Sequence, residues 1–201
     1  MTTGNTASGT FYIFNKKEQS IPIVFIHGVG LTYEIWQPQL NFFKNYSNLS
    51  YDILGHGKSS LTKQNISFDD FSEQLIELID ELKIEKIHLV GFSIGSLIAR
   101  NFATRYGDRL QSLILLGSIY KRSEQQQKIV NERFDQAKKE LKLSRQALKR
   151  WFSDKYLEDN PETYDLFMKI LNKGPKDHKN FIKAYELFAN HYDDLGAIKK
   201  N

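Results

Sequence analysis

The chain has 201 residues, 40% of them apolar, and a formal net charge of +4. That length and apolar share suit one domain with a sizeable core and room for an inserted subdomain. The absence of cysteine excludes disulfides, thiolate metal sites and cysteine nucleophiles, and no stretch is long and apolar enough to span a bilayer.

Residues 1–14 are polar and rich in Thr, Gly and Ser, without the basic and apolar regions of a signal peptide. The expectation is a soluble cytoplasmic protein with no membrane partner. Residues 10–15 and their neighbours are expected to form an edge hairpin. Residues 21–27 (IPIVFIH) are a short run rich in β-branched side chains, ended by Gly28, and read as a buried strand. Over residues 32–46, Ile35, Trp36, Leu40, Phe42 and Phe43 recur at helical spacing, with Pro38 acceptable in a first turn. Residues 49–54 (LSYDIL) form a second strand before Gly55-His56-Gly57. Ser67-Phe68-Asp69-Asp70 opens a helix, its acids complementing the helix dipole. Phe68, Phe71, Leu75, Leu78, Ile79 and Leu82 then mark its apolar face. Residues 86–91 form a third strand, residues 94–106 a helix, and residues 110–116 (LQSLILL) a fourth strand ended by Gly117. Strands alternating with helices predict a mostly parallel sheet covered by helices on both faces.

The pattern changes at Ile119. No strand signal follows, and apolar residues recur at helical spacing over 129–143, 148–156, 164–171 and 181–192, punctuated by Pro161 and Gly174-Pro175. This is a helical insertion. Residues 121–155 hold 11 Lys and Arg against 5 acids. The charges alternate with acids at helical spacing and lack interleaved aromatics, which favours a solvated helix face over a nucleic-acid surface. A third reading is that the segment draws anionic small substrates toward a nearby cleft.

Gly91-Phe92-Ser93-Ile94-Gly95 fits the G-x-S-x-G elbow, in which a serine turns sharply from strand into helix and stands exposed. The bare pattern is weak; an apolar strand directly before it and a helix directly after make it specific. Gly91 and Gly95 are expected because a side chain at either position would collide across the turn. Ser93 is the candidate nucleophile, and the amide of Ile94 a candidate oxyanion donor at a helix N-terminus. His27-Gly28-Val29-Gly30 offers the second donor, Val29 or else Gly30. His27 itself reads as a packing histidine at a strand end.

In order and spacing, His27-Gly28, Trp36, Asp52 with Gly55-His56-Gly57-Lys58-Ser59, and Gly91-x-Ser93-x-Gly95 resemble the α/β-hydrolase superfamily over residues 21–117. Arg150-Trp151-Phe152-Ser153, Asn160-Pro161-Glu162 and Tyr185 are similar to the cap of its 3-oxoadipate enol-lactonase-like branch. Ser96 departs from the second glycine that many relatives have there. The resemblance implies an α/β-hydrolase fold with a helical lid: a core over 1–120, a lid over 121–194, and the start of further core at 195–201. It implies hydrolysis of a small ester or lactone without metal or cofactor, with Asp52 and His56 ordering their loop. It also places a catalytic acid and then a histidine after the lid. His88, His178 and His191 do not read as that histidine, nor Asp193 and Asp194 as that acid. The expectation is therefore a chain lacking its last two strands and two triad members, and an impaired hydrolase. The alternatives are a non-catalytic ligand-binding protein on the same fold and, on the basic segment alone, a nucleic-acid-binding module. Oligomeric state is left open.

Overall fold

The structure is a computed structural model that describes residues 1–140, 146–172 and 178–190. Six strands form one sheet in the order β1-β2-β4-β3-β5-β6. β1 (Thr2–Asn5) and β2 (Phe11–Asn15) are an antiparallel hairpin. β2 also pairs antiparallel with β4 (Asn48–Tyr51), so only β1 of the expected edge hairpin lies at the edge. β3 (Ile23–Ile26) runs parallel to β4 and to β5 (Ile87–Phe92), and β5 runs parallel to β6 (Leu110–Leu116). The four strands within residues 21–117 are thus the parallel part of the sheet.

β4 is buried at every position although its sequence, NLSY, is half polar. Asn48 Nδ2 donates to the carbonyls of Phe43 and Tyr46 at 2.9 and 3.1 Å and Ser50 Oγ to that of Tyr33 at 3.3 Å, whereas Asn48 Oδ1 and the Tyr51 hydroxyl find no partner among the described residues. The helix expected over 32–46 is shorter than its apolar spacing suggests. A 3-10 turn, Tyr33–Trp36, leads into α1 (Gln37–Phe42). Pro38 has no N–H to donate to the preceding turn, so the α-helix starts where that loss costs nothing.

α2 (Phe68–Glu81) begins at Ser67, whose amide donates to Asp70 Oδ2 at 2.8 Å. Its inner face buries Phe71, Leu75, Leu78 and Ile79 completely, each contributing about 1.5–3 kcal/mol relative to exposure. α3 (Ile94–Arg105) buries Leu97, Ile98 and Phe102 into the same core. Arg105 ties it to α2 through ion pairs with Asp69 and Glu73.

Every described element after β6 is a helix: α4 (Glu124–Glu140), α5 (Ala147–Trp151), α6 (Asp154–Asp159), α7 (Pro161–Asn172) and α8 (His178–Ala189). Pro161 starts α7, where its missing N–H is harmless. α8 buries Phe181, Ala184 and Tyr185 with Phe134 and Ala137 of α4. Phe167, Met168 and Leu171 of α7 join a second core cluster with Trp36, Leu40, Phe25 and Val90. The helical segment is thereby packed onto the sheet layer. Gly174-Pro175, His191, Asp193, Asp194 and residues 195–201 lie outside the described residues, as does the side chain of His178. Among the described residues no helix is long and apolar enough to cross a membrane.

Candidate active site

The register of the two central strands builds the site. Ile26 at the end of β3 is paired with Gly91 in β5, so the chain leaves the sheet at neighbouring points after both strands. After β5 the backbone reverses at Ser93, which has φ 57° and ψ −121°. A non-glycine residue there is strained by about 1–3 kcal/mol and is held only where its surroundings over-determine it. Those surroundings are close. A Cβ on Gly91 would lie 2.2 Å from the Gly95 carbonyl oxygen, and one on Gly95 would lie 2.6 Å from that of Ile26. The Ser93 amide donates to the carbonyl of Leu116 at the end of β6, at 2.9 Å. Ser96 donates to the Ser93 carbonyl with its amide at 2.9 Å and its hydroxyl at 2.6 Å.

Ser93 is half-buried, and Oγ hydrogen-bonds no described residue. Ile94 opens α3, so its amide is among the donors a helix leaves unpaired at its N-terminus. Val29, in the turn after β3, is 8% exposed. Neither amide donates to a described residue. Both sit on segments leaving the same end of adjacent strands, and backbone donors in that setting can receive a developing oxyanion. On the other side of the elbow stands an aromatic wall. The Phe92 ring is 6.4 Å from Trp151, and Trp151 and Phe152 lie 5.6 and 5.1 Å from Phe167.

His27 is not free to act as a base. It is fully buried, Nε2 accepts the Ile53 amide at 3.1 Å, and Nδ1 is 2.8 Å from the Gly28 carbonyl. That pair of partners requires a neutral ring with its proton on Nδ1. Burial, and secondarily the neighbouring His56, hold its pKa down at about 3. Asp52 Oδ1 stands 3.9 Å from Nε2, a separation that carries no ion pair with a neutral imidazole. The two Asp52 oxygens instead accept the amides of Tyr33 and Lys58, each at 2.8 Å. Burial pushes this carboxyl up to about 6, against the pull of those two amides. Asp52 thus orders the loop after β4. His56 Nδ1 lies 3.0 Å from the Leu54 carbonyl in that loop. His88 bonds Ser112 on β6 at 2.8 Å, away from the elbow.

Two supporting side chains escaped the sequence reading. Ser96 reads there only as a small residue, whereas its hydroxyl clamps the elbow. Gln74 donates to the Asp52 carbonyl and Thr10 Oγ1 at 3.1 Å and accepts the Leu54 amide at 3.0 Å. A polar residue on the apolar face of α2 was the available signal. Among the described residues no cluster of His, Asp and Glu could hold a metal ion.

Comparison with known proteins agrees with this architecture. The family model described as "alpha/beta hydrolase fold" matches residues 21–177. An (E)-2-((N-methylformamido)methylene)succinate hydrolase of Acinetobacter baylyi is 31% identical over 182 residues, 90% of this chain and 67% of the relative. 3-Oxoadipate enol-lactonase 2 of the same organism is 26% identical over 153 residues, 76% of this chain and 57% of the relative. The chain thus spans from little more than half to two thirds of these relatives' length. Among solved structures, the enol-lactonase from Burkholderia xenovorans LB400 superposes with a TM-score of 0.77 at 21% identity, over 94% of this chain and 74% of that one. A malate-bound esterase from Thermogutta terrifontis gives 0.74 at 20% identity, over 95% and 71%. With the parallel strands, the strained serine elbow and the family match over residues 21–177 in agreement, the chain belongs to the α/β-hydrolase fold family, with 3-oxoadipate enol-lactonases among its relatives.

Proposed function

We propose that this protein is built for serine-dependent hydrolysis of small carboxylic esters or lactones, with Ser93 as nucleophile and the amides of Val29 and Ile94 as oxyanion donors. The observation that carries this reading is the positive φ of Ser93 at the strand-to-helix reversal, a strained geometry whose use is to present Oγ. In the first step Ser93 Oγ bonds the substrate carbonyl carbon, the carbon–oxygen bond to the leaving group breaks, and the serine proton ends on the departing oxygen. Water then hydrolyses the acyl-serine and releases the acid. The helical segment over 121–194 serves as the lid, and Phe92 and Trp151 give the substrate an apolar wall. Residues 1–120 are the core on which it closes.

Neither a described imidazole nor a described carboxylate bonds Ser93 Oγ. Loss of a triad member costs about 10⁴–10⁶ in rate, while an elbow with its oxyanion donors retains about 10³–10⁴ over water. The test is release of p-nitrophenol from its acetate by residues 1–201, together with mass labelling by a serine-directed fluorophosphonate. Wild type should outpace Ser93→Ala and acquire one adduct that Ser93→Ala lacks. Equal turnover and no adduct would remove the hydrolase reading. That no base among the described residues bonds Ser93 favours one second reading, a ligand-binding protein on the same fold; saturable binding of an ester left intact would support it.

A further inference from the structure

The helical segment contains a concave surface that the elbow chemistry does not use. A cavity of about 480 Å³ is lined by Arg133 and Gln136 of α4, Lys149 and Arg150 of α5, and Tyr185 of α8. Its volume is in the range of about 300–1,000 Å³ typical of ligand pockets. No described carboxylate lines it, and neither do Ser93, Ile94 or Val29.

Three cations thus face one space from two helices. Arg133, Lys149 and Arg150 form no ion pair with any described residue. Asp135 pairs with Lys138 at 2.8 Å, and Glu140 accepts from the cavity-lining Gln136 Nε2 at 2.9 Å. Tyr185 is 6% exposed, its ring fixed against Phe134 at 5.5 Å. Its hydroxyl hydrogen-bonds no described residue. Burial pushes that phenol up, so it remains a donor despite the opposing pull of Arg133 and Arg150. Burial, and then the like charge of Arg133, draw the Arg150 guanidinium down. Like charges gathered without a counter-charge destabilise each other, and an oxyanion relieves this. Guanidinium forks match carboxylate and phosphate oxygens in bidentate geometry.

We propose that this cavity binds a small molecule through a carboxylate or phosphate group, held by Arg133, Arg150 and Lys149 with the Tyr185 hydroxyl as a fourth donor. The site goes beyond the hydrolase reading and stands without it. The experiment is calorimetric titration of the 201-residue chain with succinate and, separately, inorganic phosphate, at constant ionic strength with sodium chloride as control. Saturable one-to-one binding is expected. Preference for succinate assigns the group as a carboxylate, and preference for phosphate assigns it as a phosphate. Arg133→Gln combined with Arg150→Gln should weaken binding at least tenfold, and Tyr185→Phe, which keeps the ring packing, severalfold. Ser93→Ala and the outlying Lys138→Gln should bind like wild type. Unsaturable heats matching those of chloride, or full affinity in the double arginine variant with its melting curve unchanged, would overturn the proposal. Loss of binding in Ser93→Ala would place the anion at the elbow and overturn it too. Tight salt-sensitive binding of an oligonucleotide that succinate and phosphate fail to displace would do so by assigning the surface to nucleic acid.

Discussion

Ser96 clamps Ser93: both its amide and its hydroxyl donate to the Ser93 carbonyl, at 2.9 and 2.6 Å. With the Leu116 carbonyl accepting the Ser93 amide, the strained residue is gripped on both of its peptide groups. Ser96→Ala removes one of the three bonds. It should cost about 1 kcal/mol in stability and lower Ser93-dependent labelling. Unchanged denaturation midpoint and labelling rate would show that the hydroxyl is dispensable.

The strain at Ser93 can be read out directly. Glycine tolerates φ 57° and alanine does not, so Ser93→Gly should be more stable than Ser93→Ala by about 1–2 kcal/mol. Both should lose the fluorophosphonate adduct. Equal urea midpoints for the two variants would mean that the elbow stores no strain.

His27 and Asp52 set opposing pH dependences. His27 protonates near 6.5 when unfolded but near 3 when folded, so its contribution to stability is present above about 6.5 and lost as pH falls toward 3. Asp52 takes its proton near 6 when folded and near 3.8 when unfolded, so it adds stability as pH falls through that narrower window. The histidine window is wider, and the net expectation is loss of stability on acidification. Denaturant midpoints between pH 7.5 and 4 should fall less steeply for His27→Gln and more steeply for Asp52→Asn. A His27→Gln slope equal to wild type would assign the acid limb to other groups.

β6 ends the sheet order among the described residues, and Ile114 and Leu116 on it are 46% and 41% exposed. An apolar, unpaired edge invites strand-to-strand association. Ile114→Lys should reduce light scattering of concentrated samples without moving the melting temperature by more than a degree or two. Identical scattering from both proteins would clear this edge of responsibility.

Much of this was legible in the residues themselves. β3, β5 and β6 announce themselves as apolar runs, and the elbow as two glycines flanking a serine between strand and helix. β1, TTGN, carries no such signal because pairing with β2 alone makes it a strand. β4 looks half polar, and the carbonyls that take up the Asn48 amide nitrogen come from Phe43 and Tyr46, outside the strand. α1 is curtailed by Pro38 despite favourable spacing. Arg133, Arg150 and Tyr185 belong to three helices, and only tertiary packing brings them to one cavity.

The contact between Phe92 and Trp151 gives the molecule an optical gauge. There are two tryptophans. Trp36 is 5% exposed against Phe25 at 5.0 Å, and should emit at short wavelength whatever happens at the elbow. Trp151 is half-buried beside the residue that precedes Ser93. Its emission should shift when the aromatic wall is displaced or covered, so Trp36→Phe leaves a single fluorophore whose colour follows occupancy at the serine.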